Sequence, residues 1–341
     1  MHVDGLLPKL LRDPAQAQAA IARQGFRLLT TPVAIPGVDD LRPLRQSKNI
    51  RTSSACGRRR SASSSAASEG TTTSPRPTVI GSLRRTACLA PYGGGVTKRL
   101  AIVTGGSRGI GAATACMLAT EGWNVLLTYR SEATAAQQVA KECRGNGTWA
   151  EAVALDVSSE LAVEDLFAAL PTEAGELRGL VNNAGIVAPT STVAAMRADR
   201  IRRMLEVNVL GGFLCSREAV RLMAGGSGGA IVNVSSRAAV LGSPGEYVDY
   251  AASKAALDAM TTGLAKEVAD KGIRVNSVRL GLIGTDIHAR NGEPDRLDRL
   301  APSIPMKRVG ETSEAATAIC WLLSDAASYT TGAHLDVAGG R

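Results

Sequence analysis

No stretch of this chain is both long and apolar enough to cross a bilayer, because no run approaches the roughly 18 residues that a spanning helix needs. Nor is there a C-x-x-C pair. The six cysteines (Cys56, Cys88, Cys116, Cys143, Cys215 and Cys320) are scattered and do not cluster with the three histidines. A zinc ribbon is therefore excluded, no metal site is expected, and the thiols fit a reducing compartment, hence the cytoplasm. Acidic charge is scarce in only one part. Residues 1–97 hold 14 Lys and Arg against 5 Asp and Glu, whereas residues 98–341 hold 25 against 26. The net charge of +8 thus belongs to the first part. It gives residues 98–341 no nucleic-acid or membrane partner.

Residues 1–97 open with a short helical pattern at 14–29 and then lose periodicity, passing through Ser61-Ala-Ser-Ser-Ser-Ala-Ala-Ser, Thr71-Thr-Thr-Ser-Pro and Gly93-Gly-Gly. Such a composition buries too little apolar surface to offset chain ordering, so a disordered extension is expected. Arg58-Arg-Arg and Arg84-Arg leave two other readings open, a nucleic-acid contact and an organelle address. Asp4, Asp13, Asp39 and Asp40 argue against a transit peptide.

The second part is organised around Gly105 to Gly111. Leu100 to Val103 is a short apolar run that reads as a buried strand, and residues 112–120 continue as a helix. Glycines at such a junction bring bare backbone N–H groups to the positive end of a helix, which suits a pyrophosphate. The spacing Gly105-x-x-x-Gly109-x-Gly111 is neither the G-x-G-x-x-G pattern nor a P-loop, since Thr114 and Ala112 stand where a third glycine and a lysine would be.

Strand and helix patterns then alternate to residue 337. That order demands right-handed crossovers and predicts an α/β domain over 98–341, a doubly wound parallel sheet of Rossmann type. Its ligand should lie at the carboxyl ends of the strands. Asp156, Asn182-Asn-Ala-Gly, Ser235-Ser236 and the loop to Thr285 fall there. In Tyr250-Ala-Ala-Ser-Lys254 the phenol and the ammonium share one helix face. A phenol titrates near ~10. The neighbouring ammonium is expected to lower Tyr250 toward useful proton transfer. Asn208 lies on the helical stripe of Ile201, Leu205, Gly212 and Cys215, where a polar side chain must find partners.

Taken in order, Thr104-Gly-Gly-Ser-Arg-Gly-Ile-Gly, Asn182-Asn-Ala-Gly, Asn208, Ser236 and Tyr250-x-x-x-Lys254 resemble the signature of the short-chain dehydrogenase/reductase superfamily. The stretch from Gly242 to Lys254 further resembles a bacterial subgroup described as sugar-dehydrogenase-like. The resemblance implies a catalytic set. Tyr250 would be the general acid or base, and Ser236 would bind the carbonyl oxygen. Lys254 would hold the nicotinamide ribose, and Asn208 would anchor a relaying water.

The same resemblance implies cofactor contacts from Gly105, Ser107, Arg108, Gly109, Ile110 and Gly111. Asp156 with Val157 would flank the adenine, Asn183, Ala184 and Gly185 would support the cofactor and central sheet, and Gly281, Ile283 and Thr285 would line the nicotinamide side. Tyr129 stands where NAD-selective relatives carry an acidic residue. With Arg130 and Arg108 close by, NADP(H) is expected over NAD(H). Leu280 replaces the proline that relatives place before Gly281, which leaves that turn freer.

The leading expectation is an NADP-dependent oxidoreductase acting on a small polar carbonyl or alcohol. Residues 282–301 form its cover, rich in charge and without an aromatic residue. A 3-oxoacyl-carrier-protein reductase shares every residue named, and Arg197, Arg200, Arg202 and Arg203 could meet an acidic carrier. A third reading, a cofactor-sensing protein without turnover, has no use for Ser236, Tyr250 and Lys254 together. The resemblance implies a homotetramer or homodimer, and the small residues along 250–270 allow close packing against a symmetry mate.

Overall fold

The computed structural model describes residues 98–341 except 288, 290 and 291. The expectations for residues 1–97, including the helix at 14–29, lie outside the described residues.

Seven strands form one sheet: β1 Arg99–Val103, β2 Asn124–Tyr129, β3 Ala150–Ala154, β4 Glu176–Asn182, β5 Gly229–Ser236, β6 Ile273–Leu280 and β7 His334–Val337. Their spatial order is β3-β2-β1-β4-β5-β6-β7. Every adjacent pair is parallel. The fold is therefore the doubly wound Rossmann type, and the order reverses between β1 and β4. The cause is legible in β1, whose alternate side chains enter different cores. Ala101 and Val103 pack on one face, Leu100 and Ile102 on the other. Burying each such Leu or Ile contributes about 1.5–3 kcal/mol, and only a sheet covered on both faces can bury both sets.

One face is covered by α1 Gly109–Thr120, α2 Ala133–Gly145 and, late in the chain, α9 Thr312–Leu323. In α2 the buried residues Ala136, Val139, Ala140 and Cys143 recur at helical spacing, while its charged residues face outward. The other face carries α3 Glu160–Ala168, α5 Gly211–Ala224 and α7 Val248–Val268. Between these lie α4 Ala198–Leu205, the short α6 Ala238–Leu241, and α8 Arg296–Leu300 in the cover segment. None of the described helices is long and apolar enough to cross a membrane.

The long helix expected over 200–223 differs in one respect. It is α4 and α5 joined through a π turn, Glu206–Leu210. A π turn inserts one residue into the helical repeat and so rotates everything beyond it. Ile201 and Leu205 before it are 36% and 41% exposed, while Asn208 and Cys215 are buried. The single stripe read from the sequence is thus two stripes out of phase.

Candidate active site

The loop after β1 is tied to the end of β4 from both sides. The Thr104 hydroxyl donates to the Val181 carbonyl at 3.2 Å and accepts from the Asn183 and Ala184 N–H groups at 3.0 Å. The Asn183 amide returns two bonds, to the carbonyls of Thr104 (2.8 Å) and Gly105 (2.9 Å). This clamp explains the glycines. Gly105 and Gly109 have φ of +66° and +55°, which side-chain-bearing residues avoid. A Cβ on Gly111 would lie 2.3 Å from the Gly105 carbonyl oxygen. At the head of α1, Arg108 gives no side-chain cap. The first N–H groups of the helix therefore face outward from the glycine loop.

A cavity of about 300 Å³ opens over this loop, lined by Gly105, Ser107, Arg108, Gly109 and Ile110 on one side. Tyr129, Arg130, Asp156, Val157, Ala184 and Gly185 close the other. Its charges are already paired. Arg108 lies 3.4 Å from both Glu132 and Asp286, and Arg130 lies 3.5 Å from Asp156. Asp156 also accepts from Ser158 at 2.6 Å and from Arg203 at 3.0 Å. Burial raises its carboxyl, but these hydrogen bonds outweigh it and hold the group below the usual carboxylate range.

Asn183, Gly185, Ile110, Thr285 and Ile287 are shared with a second cavity, of about 410 Å³, beyond the ends of β5 and β6. Here the remaining candidates converge. Ser235 and Ser236 alternate along β5, so Ser235 bonds the Lys254 carbonyl (3.3 Å) while Ser236 shares the cavity lining with Tyr250, its hydroxyl accepting from the Ala238 N–H at 3.1 Å. Lys254 is buried one turn along α7, and its Nζ donates to the Val234 carbonyl at 2.8 Å. Asn208, on the π turn, accepts from the Ile186 N–H (2.8 Å) and donates to the Ile186 carbonyl (2.9 Å). A Cβ on Gly185 would sit 3.3 Å from Asn208 Oδ1 and 3.4 Å from Lys254 Nζ, so this glycine lets both groups approach.

The electrostatics correct one expectation. Burial pushes the Tyr250 phenol above its ordinary value, and the neighbouring Ser236 hydroxyl offsets this only in part. Lys254 does not reverse it. Its Nζ lies 5.6 Å from the ring centroid, and burial brings its own value down to about 8.

The turn after β6 needs no proline. The Gly281 N–H donates to the Val337 carbonyl (3.0 Å), and a Cβ there would meet Ala338 at 2.8 Å. Gly284 and Gly310 then bridge the loop. Gly281, Ile283 and Thr285 all line the second cavity. The cover is mixed rather than simply polar. Leu282 and Ile283 are buried, Asp286 is exposed, and Arg296 is 5% exposed and lines the cavity. Arg296 lies within the charged cover expected from the sequence, whereas Glu246 is a cavity residue that the sequence reading did not select. Fifty positions separate them, and no local pattern announces the pairing.

The model of a family described as enoyl-(acyl carrier protein) reductase, within the short-chain dehydrogenases, matches residues 105–341. The chain belongs to the short-chain dehydrogenase/reductase family. It is 55% identical over 245 residues to the uncharacterized oxidoreductase YgfF of Escherichia coli K12, covering 71% of this chain and 99% of that one. It is 37% identical to a 3-oxoacyl-[acyl-carrier-protein] reductase of Synechocystis, covering 72% and 97%. The crystal structure of acetoin dehydrogenase YohF from Salmonella typhimurium superposes with a TM-score of 0.63 at 37% identity, covering 71% and 96%. This family uses nicotinamide cofactors, and the chain is an oxidoreductase of its type.

Proposed function

We propose that the chain is an NADP(H)-dependent carbonyl reductase or alcohol dehydrogenase for small polar substrates. The observation that carries this reading is the meeting of Ser236, Tyr250 and Lys254 on one wall of a cavity that continues into the glycine loop. That loop fits a dinucleotide, because uncapped helix N–H groups lie beside Gly109 and Gly111, where only hydrogen atoms project. When bound, the nicotinamide supplies or takes up the hydride. Tyr250 donates its phenolic proton to the carbonyl oxygen, and Ser236 donates a hydrogen bond to the same atom. Lys254 and Asn208 flank Gly185, where the ammonium would hold the ribose hydroxyls and the amide a relaying water.

Arg108 and Arg130 support the cofactor preference. Their carboxylate partners are solvent-exposed pairs worth about 0–1 kcal/mol each, which a 2′-phosphate can displace. Of the arginines offered to a carrier, Arg200 is held by the buried carboxylate of Asp249 (2.7 Å), whereas Arg203 pairs with the part-exposed Asp156 and Arg197 with the exposed Asp199, pairs that an acidic partner can displace as readily. The solved relative named for acetoin, a hydroxy-ketone, favours the small-substrate reading. We place the enzyme in the cytoplasm, where the free thiols of Cys116, Cys143, Cys215 and Cys320 stay reduced.

Tyr250→Phe tests the mechanism. Turnover should fall by a factor on the order of 10²–10⁴ while the NADPH dissociation constant stays within about threefold, since only the transferable proton is lost. Activity retained in that variant would overturn the assignment. Equal catalytic efficiency of the unmodified enzyme with NADPH and NADH would overturn the cofactor preference.

A further inference from the structure

Where the cover meets the second cavity, Arg296 of the cover is buried in an ion-pair cluster. Arg296 donates through Nη1 and Nη2 to the two carboxylate oxygens of Glu246, at 3.1 and 2.5 Å, and through Nη1 to Glu293 at 3.0 Å. Its guanidinium lies 4.9 Å from the ring centroid of Tyr247, whose hydroxyl is held by Glu293. Glu293 in turn accepts from Thr190 at 2.6 Å. Burial raises the Glu293 carboxyl, but the bonds from Thr190, Tyr247 and Arg296 outweigh it and draw the group down to about 2.

The cluster balances two carboxylates, Glu246 and Glu293, against the buried guanidinium of Arg296 and the exposed one of Arg299, which reaches Glu293 at 3.3 Å. Three N–H contacts leave Nε and one Nη2 hydrogen of Arg296 uncommitted; Nε is sealed from the cavity, so the spare Nη2 hydrogen is the donor that an incoming oxygen would use. A buried charged donor left unpaired is costly, whereas one completed by an incoming oxygen is stabilised. Glu246, about one-third exposed, lines the cavity, and each of its oxygens accepts a single bond from Arg296.

Three kinds of group could meet this cluster, and the chemistry separates them. A carboxylate or phosphate on the substrate would accept from Arg296 but be repelled by Glu246, the carboxylate that lines the cavity beside it. A methylene chain would cover the ion pair and complete nothing. A hydroxyl can accept from the guanidinium and donate to the Glu246 carboxylate at once.

We propose that Glu246 and Arg296 form a hydroxyl-recognising subsite that selects neutral carbonyl substrates bearing a hydroxyl group beside or beyond the reacting carbon. The inference rests on the small-substrate reading above. It adds the residues that impose that choice.

The test compares 1-hydroxy-2-butanone with 2-butanone, which differ by one hydroxyl, as NADPH-dependent substrates of the full chain, Glu246→Gln and Arg296→Met. The hydroxy-ketone is intrinsically more reactive, so the diagnostic quantity is the change in the ratio of the two kcat/KM values. Each variant should lower that ratio about tenfold, mainly through a higher KM for the hydroxy-ketone, as expected when a site loses a hydroxyl partner. NADPH binding by fluorescence reports whether each variant is folded. If Arg296→Met fails to bind NADPH, Glu246→Gln, which keeps the side-chain volume, decides alone. An unchanged ratio with the hydroxy-ketone still turned over would overturn this inference and leave the small-substrate reading standing. An unmodified enzyme that reduces acetoacetyl thioester more efficiently than either ketone would overturn that reading and the subsite with it.

Discussion

Tyr250 and Lys254 show how far a residue's chemistry depends on what surrounds it. Their spacing on one helix face could be read directly, but the direction in which Tyr250 titrates could not, because burial is a property of the folded chain and here it dominates. The consequence is a pH signature. Reduction needs the phenol with its proton, a form present at every pH below its raised value, so the reduction rate should stay flat through neutrality. Alcohol oxidation needs the ionised form, so its kcat/KM should climb roughly tenfold per pH unit across the neutral range. Lys254 acts on stability. Its folded-state value, about 8, is below the unfolded one, so the unfolded chain holds the extra proton between the two values. This residue's contribution is least favourable below pH 8 and recovers as pH rises toward the ordinary lysine range. An oxidation profile already level below pH 7 would refute the tyrosine assignment. The pair of Glu246 and Arg296 was invisible for a different reason: ion pairs between distant segments leave no periodicity.

Among the elements, the glycine loop and the π turn stand at opposite ends of legibility. The loop was readable because backbone approach needs glycine and little else satisfies it. Gly111→Ala should lower the melting temperature, with a cost of about 1–3 kcal/mol from overpacking, and weaken NADPH binding. The added Cβ meets the Gly105 carbonyl and, at 2.5 Å, the Asn183 amide. Gly145→Ala is the control, since nothing lies within 4 Å of a Cβ there and its φ is not positive. It should leave both measurements unchanged or raise stability by a few tenths of a kcal/mol through helix propensity. Equal behaviour of the two variants in calorimetry and cofactor titration would show that the loop does not need its close approach. The π turn, by contrast, carries no composition of its own. Val207-Asn208-Val209 reads as ordinary helix, and the partner that Asn208 meets from the π turn, Ile186, is 22 residues away.

For the whole molecule, the parallel doubly wound sheet followed from the alternation of strands and helices, while assembly must be argued from surfaces. Phe213 on α5 is 51% exposed beside Ala256, Ala259 and Gly263 of α7, around an open hollow of about 700 Å³ with a largely apolar floor. The small residues read from the sequence divide accordingly. Ala251 faces the protein's own core, whereas Ala252, Ala259 and Gly263 face outward. Light scattering at micromolar concentration should give a dimer or tetramer, and Phe213→Glu should shift it to a smaller species. A monomeric unmodified protein would refute the assembly.

The place of β1 in the sheet also sets a timetable for biosynthesis. The strand that carries the glycine loop is flanked by β2, which follows soon, and by β4, whose Val181 is 77 residues beyond Thr104. At about 5–20 residues per second, a ribosome needs roughly 4–15 s to deliver that second neighbour. During that interval Leu100, Ala101, Ile102 and Val103, all fully buried in the finished sheet, form an apolar strand with one open edge. The nascent chain exposes an aggregation-prone edge in those seconds, and a chaperone that shields it would recognise the segment that leads into the glycine loop.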